Sequence, residues 1–325
     1  MALYFPTVTT QIEQKINSLY FGENPPELYE PLRYLMQLGG KRIRPLLTIL
    51  GYYTFQDDWE RVVTPAVGVE VFHNFTLMHD DIMDNAPLRR GKVTVHEKWD
   101  ANTAILSGDV MLVKAYELFA DVESQYFKKV FTLFNQCATE VCEGQQKDMN
   151  FETQEEVSEA DYLDMIRQKT SVLLGFALQT GAILAGADLE NEILIRDFGI
   201  AMGLGFQIKD DFLDVYGETE TFGKQVGGDI ISNKKTFLLI NAQKRAEGNL
   251  KIELEKWLSL TTFNPSEKVE IVTQIYNQLG IKEVTEQKIQ SYFDKAFTCL
   301  EKMTLAPEKR ILLTEFAQMI MQRQK

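Results

Sequence analysis

The chain has 325 residues, with 34 basic and 47 acidic side chains and a formal net charge of −13. An apolar fraction of 45% supports a large buried core and excludes wholesale disorder. The acidic balance excludes a general nucleic-acid binder and a protein held on anionic membranes by charge alone.

The first residues, MALYFPTVTTQIEQKI, lack a basic region followed by an apolar run, so no signal peptide is predicted. Leu28, Leu32, Leu35 and Leu38 recur at helical spacing and predict an amphipathic helix. The stretch GGKRIRP (39–45) then packs three cations into seven residues. Gly39 and Gly40 suit a helix end, and Pro45 suits the first turn of the next helix. Free N–H groups there, beside Lys41 and Arg44, predict a diphosphate site, although a solvated basic turn has the same composition.

An apolar helical run over 67–78 leads into Asp80-Asp81-Ile82-Met83-Asp84. Asp80 and Asp84 fall one turn apart on one helix face. Like charges at that spacing destabilise a helix unless a cation offsets them, and carboxylates with water suit Mg²⁺. Asn85 and Pro87 predict the helix end, whose negative dipole also favours a cation. Arg89-Arg90-Gly91-Lys92 follows at once, and arginine forks suit phosphate oxygens. His73 lies seven residues before Asp80, on the same face, and is assigned a phosphate contact. His79 and His96 are read as structural.

No proline occurs between positions 88 and 264, which favours helix throughout. Breaks are expected across 145–156, 186–190, 216–228 and 261–266, none of them a long linker. One all-α domain covering 1–325 is therefore expected. The apolar window 171–186 contains Gln179 and Thr180 and falls short of the ~20 apolar residues of a membrane span, so it is predicted to be a core helix. Three cysteines without a CxxC pair argue against a disulfide scaffold and fit a cytoplasmic protein. Asp210-Asp211-Phe212-Leu213-Asp214 repeats the first aspartate motif after 130 residues and is again followed by a basic loop carrying Lys224. One such motif is compatible with a solvated helix end. Two copies on apolar helices point to a metal-binding cavity.

GGKRIRP, LMHDDIMD with RRG, GQQKD (144–148), RQKTSVLL (167–174), GFQIKDDFLD and GKQVGGDIISNKKT stand in an order that resembles the trans-isoprenyl diphosphate synthases from about residue 28 to 300. The resemblance implies an all-α fold with a central cavity. It also implies condensation of isopentenyl diphosphate with an allylic diphosphate (dimethylallyl, geranyl or farnesyl). By position, Asp80, Asp84 and Asp210 would bind Mg²⁺, three ions per site, with Asp81 and Asp214 supporting them. Arg89, Lys169, Lys224 and Lys234 would hold the allylic diphosphate. Lys41, Arg44, His73 and Arg90 would hold isopentenyl diphosphate, and Thr170 and Gln207 would line the reacting region. Phe75 with Thr76, and no insertion in the first motif, resembles the geranylgeranyl type, with the farnesyl type as the near alternative. A terpene cyclase and a non-catalytic partner subunit fit less well, because both aspartate motifs and GGKRIRP are intact. The family implies a homodimer.

Overall fold

The computed structural model describes residues 3–217 and 227–322. Helices dominate, as expected: α1 (Phe5–Ser18), α2 (Pro26–Gln37), α3 (Ile43–Tyr53), α4 (Val63–Met83), α5 (Val95–Lys98), α6 (Ala101–Ala120) and α7 (Ser124–Thr153). They continue as α8 (Glu159–Ile166), α9 (Val172–Leu184), α10 (Leu189–Tyr216), α11 (Gly228–Ile231), α12 (Phe237–Arg245), α13 (Gly248–Ser259), α14 (Pro265–Gln278), α15 (Ile281–Lys302) and α16 (Pro307–Met321). Between α8 and α9, Arg167–Ser171 forms a π-helical turn. The helix ends expected at Gly39, Asn85 and Gly217 are present. The break expected across 145–156 starts only after Thr153. Its Gln, Lys and Met residues are good helix formers, so polarity there does not mark a loop.

Among the described residues one element departs from helix. Leu88–Arg89 (β1) and Lys92–Val93 (β2) pair as a minimal antiparallel hairpin. Its two-residue turn holds both Arg90 and Gly91 at positive φ, 53° and 74°. That is the twist a tight hairpin needs, reached here without the usual Asn-Gly pair.

The chain forms two compact units. The first comprises Met1–Asn135 and Phe176–Arg196; the second comprises Gln136–Gly175 and Asp197–Lys325. In the first, α4 is buried on nearly every side, from Val63 through Met78. A helix apolar all round belongs in a core. Its Phe72 and Phe75 join an aromatic cluster with Phe119, Phe134 and Phe176. Helices α3 and α9 cross at glycines: a Cβ on Gly51 would stand 2.1 Å from the Leu178 carbonyl oxygen, and one on Gly181 would stand 2.0 Å from that of Thr48. Only glycine permits that approach.

In the second unit, Val215, Ile230, Leu238, Trp257 and Tyr276 share one apolar core. At roughly 1.5–3 kcal/mol per large side chain buried, that core anchors the end of α10. No helix among the described residues is long and apolar enough to cross a membrane.

Candidate active site

In the first unit, the end of α4 presents the first motif. Asp80 is half-buried, Asp84 is exposed as the helix C-cap, and Asp81 is only 2% exposed. Asn85 turns the chain with a positive φ of 48°. The hairpin then returns Arg89 to Asp81. Arg89 Nε donates to both carboxylate oxygens at 2.9 and 2.8 Å, and Nη2 donates to Oδ1 at 2.6 Å. Asp81 is thus held by a charge-assisted fork behind the other two carboxylates.

The three cations of the glycine turn take different positions. Arg42, in the left-handed region at φ 48°, is buried and bonded to Glu70 (2.8 Å), Glu13 (2.8 Å) and the Met36 carbonyl (2.7 Å). It therefore ties the start of α3 to α1, α2 and α4. Lys41 is exposed and Arg44 half-buried. Arg90 of the hairpin turn donates to the Gly39 carbonyl, and its guanidinium stands 2.9 Å from where a Cβ on Gly40 would be. The glycine turn and the hairpin turn, far apart in sequence, therefore meet.

His73 shows the electrostatic result. Its pKa is held well below the ordinary imidazole range, first by burial and then by the positive charge of Arg44, Arg90, Arg89 and Arg42. The charge of four guanidinium groups bears on this ring, although Arg42 is met by Glu70 and Glu13, and Arg89 by Asp81.

Thr76, half-buried, donates to the His73 carbonyl at 2.8 Å. Phe75 is 9% exposed, with its ring against Phe72 (5.7 Å between centroids) and His79 (4.8 Å). His79 packs on Gly108 and reaches the Ile105 carbonyl at 3.1 Å. His96 lies beyond the hairpin on α5.

In the second unit, Asp210 and Asp214 on α10 are half-buried and Asp211 is 5% exposed. Asp211 accepts from Tyr162 Oη at 2.6 Å and from Gln207 Nε2 at 3.1 Å. Gln207 Oε1 in turn accepts from the Thr170 hydroxyl at 3.2 Å. These partners are neutral, and burial, followed by Asp229, pushes the Asp211 carboxyl up to about 7. Asp214 accepts through Oδ2 from the Asp229 N–H at 2.9 Å and through its carbonyl from the Gly227 N–H at 2.6 Å. It therefore fastens the start of α11. Lys234 is exposed, its Nζ 3.9 Å from Asp229 Oδ1. Lys224 lies outside the described residues.

The π-helical turn sets Lys169 and Thr170. Arg167, Gln168 and Lys169 reach three acids on α7: Glu140 at 2.7 Å, Glu143 at 2.8 Å and Asp148 at 2.6 Å. Gly144 sits among those acids. A Cβ there would stand 2.2 Å from the Lys169 backbone nitrogen. The GQQKD stretch thus supplies both a close approach and the Lys169 counter-charge.

The polyprenyl synthetase family model matches residues 25–279. The chain belongs to the polyprenyl synthetase family. The geranylgeranyl diphosphate synthase of Methanosarcina mazei is 36% identical to it over 94% of this chain and 93% of its own length. The geranylfarnesyl diphosphate synthase of Natronomonas pharaonis is 33% identical over 93% and 91%. A crystal structure of a geranylgeranyl pyrophosphate synthase superposes with a TM-score of 0.95 at 45% identity, covering all of both chains. As a polyprenyl synthetase the chain is a short-chain trans-prenyltransferase.

Polyprenyl synthetases use Mg²⁺. Among the described residues no three acidic, histidine or cysteine side chains are gathered into a metal cluster. Carboxylate oxygens, such as Asp80 and Asp84 carry in the first unit and Asp210 in the second, are the donor type of a cation that takes only one or two carboxylates and completes its shell with water and phosphate. Sequence reasoning missed Arg42, Tyr162 and the roles of Gly144 and Asp148. The signals were present in GGKRIRP and GQQKD, but spacing alone does not tell which cation turns inward.

Proposed function

We propose that this prenyltransferase condenses isopentenyl diphosphate head-to-tail with allylic diphosphates and releases geranylgeranyl diphosphate. The observation that carries the reading is the aspartate motif that ends α4 in the first unit, followed by the hairpin whose Arg89 and Arg90 bear on His73, with a second such motif on α10 of the second unit. The geranylgeranyl diphosphate synthase relatives favour the twenty-carbon product. The geranylfarnesyl relative makes a longer product the nearest alternative, beside the fifteen-carbon one.

In this reading Asp80, Asp84 and Asp210 hold Mg²⁺, three ions per site. Bound Mg²⁺ supplies Lewis-acid stabilisation of the charge on the leaving diphosphate. Lys41, Arg44, Arg90 and His73 hold isopentenyl diphosphate. Arg89, Lys169, Lys224 and Lys234 hold the allylic diphosphate. The allylic C–O bond breaks and its electron pair leaves on the diphosphate. The double bond of isopentenyl diphosphate attacks the resulting cation, and a proton is lost to the departed diphosphate. No side-chain general base is required. Thr170 and Gln207, hydrogen-bonded to each other and through Gln207 to Asp211, line the reacting region in this reading, where their dipoles would favour the cation's charge.

Phe75 and Thr76 set product length in this reading. The packing of Phe75 between Phe72 and His79 supports a rigid floor. A homodimer is part of the proposal, supported by exposed Ile105, Leu106 and Val113 on α6, which a second copy would cover. The cysteine usage supports a cytoplasmic setting.

The deciding experiment incubates the purified chain with labelled isopentenyl diphosphate and each allylic starter and measures products by mass spectrometry. Twenty-carbon diphosphate is expected, and Phe75→Ala should lengthen it. No consumption of isopentenyl diphosphate would refute the reading, and unchanged products in Phe75→Ala would refute the floor.

A further inference from the structure

The second unit contains a lysine that the proposed reaction does not use. Lys268, in the first turn of α14, is fully buried. Lysine is almost never fully buried unless paired with a charge. Among the described residues its partners are neutral. Its Nζ donates to Asn233 Oδ1 at 2.7 Å and to the Ile231 carbonyl at 3.2 Å, and it lies 4.2 Å from the centroid of the Phe263 ring. Burial lowers its pKa below the ordinary lysine value. A packing role would be filled at lower cost by an apolar side chain of the same length. Hydrogen bonds directed at one turn indicate a different role.

That turn leads into the site. Asn233 has a left-handed φ of 57°, and its amide also donates to the Leu258 carbonyl at 2.9 Å. It is thus pinned from two sides. The next residue is Lys234, whose N–H donates to the Asp229 carbonyl at 2.9 Å. The Asp229 N–H in turn donates to Asp214. The positive charge of Lys234 and the negative charge of Asp229 both act on buried Asp211.

We infer that Lys268 is a positioning residue: from behind α11 it docks the 227–233 turn, and so sets Lys234 and Asp229 at the second aspartate motif. The allylic-diphosphate role of Lys234 in this inference rests on the function proposed above.

Two variants test it. Lys268→Met keeps the length and removes the donors. Asn233→Gly keeps the left-handed backbone available and removes the side-chain bonds. In either, backbone amides of 228–234 should exchange hydrogen about tenfold faster or more, while those of α4 stay unchanged, because bonds to a charged group are lost. The KM for the allylic diphosphate should rise about tenfold, with that for isopentenyl diphosphate within about twofold. Unchanged exchange at 228–234, or a loss falling equally on both substrates, overturns the inference. If Lys268→Met does not fold, Asn233→Gly decides by the same readouts. A wild-type chain that consumes no isopentenyl diphosphate refutes the function instead, and the exchange comparison still decides the docking.

Discussion

The two aspartate motifs share a pattern, yet the protein treats them differently. Each offers its first carboxylate, Asp80 or Asp210, half-buried at the end of a helix, and each withdraws its second. Asp81 is met by the fork of Arg89 and Asp211 by the phenol of Tyr162 and the amide of Gln207. The third residues diverge as well. Asp84 is an exposed helix cap, whereas Asp214 is bonded into the start of α11. The lesson is that DDxxD prescribes where carboxylates go but not what neutralises them. A cationic partner shares its charge with the ligand site, while neutral partners leave a buried carboxyl whose pKa rises to about 7.

The largest expected effect tests what the motifs share. Asp80→Ala and Asp210→Ala should each lower kcat by on the order of 10²–10³, with the circular dichroism spectrum unchanged. Near-normal turnover in both would refute the metal assignment. The next test addresses where they differ. Arg89→Met leaves Asp81 buried without its cation and should cost about 3 kcal/mol in urea unfolding. Tyr162→Phe removes one hydrogen bond to Asp211 and should cost about 2 kcal/mol. The reverse order would show that the guanidinium is not the stronger support.

Gly144→Ala pushes a methyl group into the Lys169 backbone. An overpacking cost of about 1–3 kcal/mol is expected, with weaker allylic-diphosphate binding in calorimetry. Unchanged stability would mean that α7 yields freely there.

The smallest effect concerns His73. Its folded pKa lies below the unfolded value of about 6.5, so below that pH the unfolded chain binds a proton that the folded chain does not. Stability should therefore fall as pH drops through and below 6.5, and His73→Asn should flatten part of that slope in denaturant titrations from pH 5 to 7. An unchanged slope would remove His73 from the arginine cluster.

Much of the fold was legible in the sequence because helices declare themselves locally. The leucine spacing of α2, the proline-free middle and the ends at Asn85 and Gly217 follow from backbone preferences within a few residues. The hairpin was not legible, since its turn uses Arg90 where asparagine is usual. Nor was the π-helical turn that sets Lys169 and Thr170, because it depends on the approach of α7 at Gly144.

The same division holds for the site. Motif order along the chain was enough to name the family and the candidate carboxylates and cations, because residue type and spacing carry that chemistry. Three outcomes were left to the folded structure: that Arg42 is buried against Glu70 while Lys41 stays exposed and Arg44 half-buried, that Arg89 is committed to Asp81, and that buried Lys268 reaches the turn before Lys234. The reason is physical. A charge becomes a ligand or a support according to which desolvated partner lies within hydrogen-bond reach, and those partners lie 8 to 35 residues away in sequence.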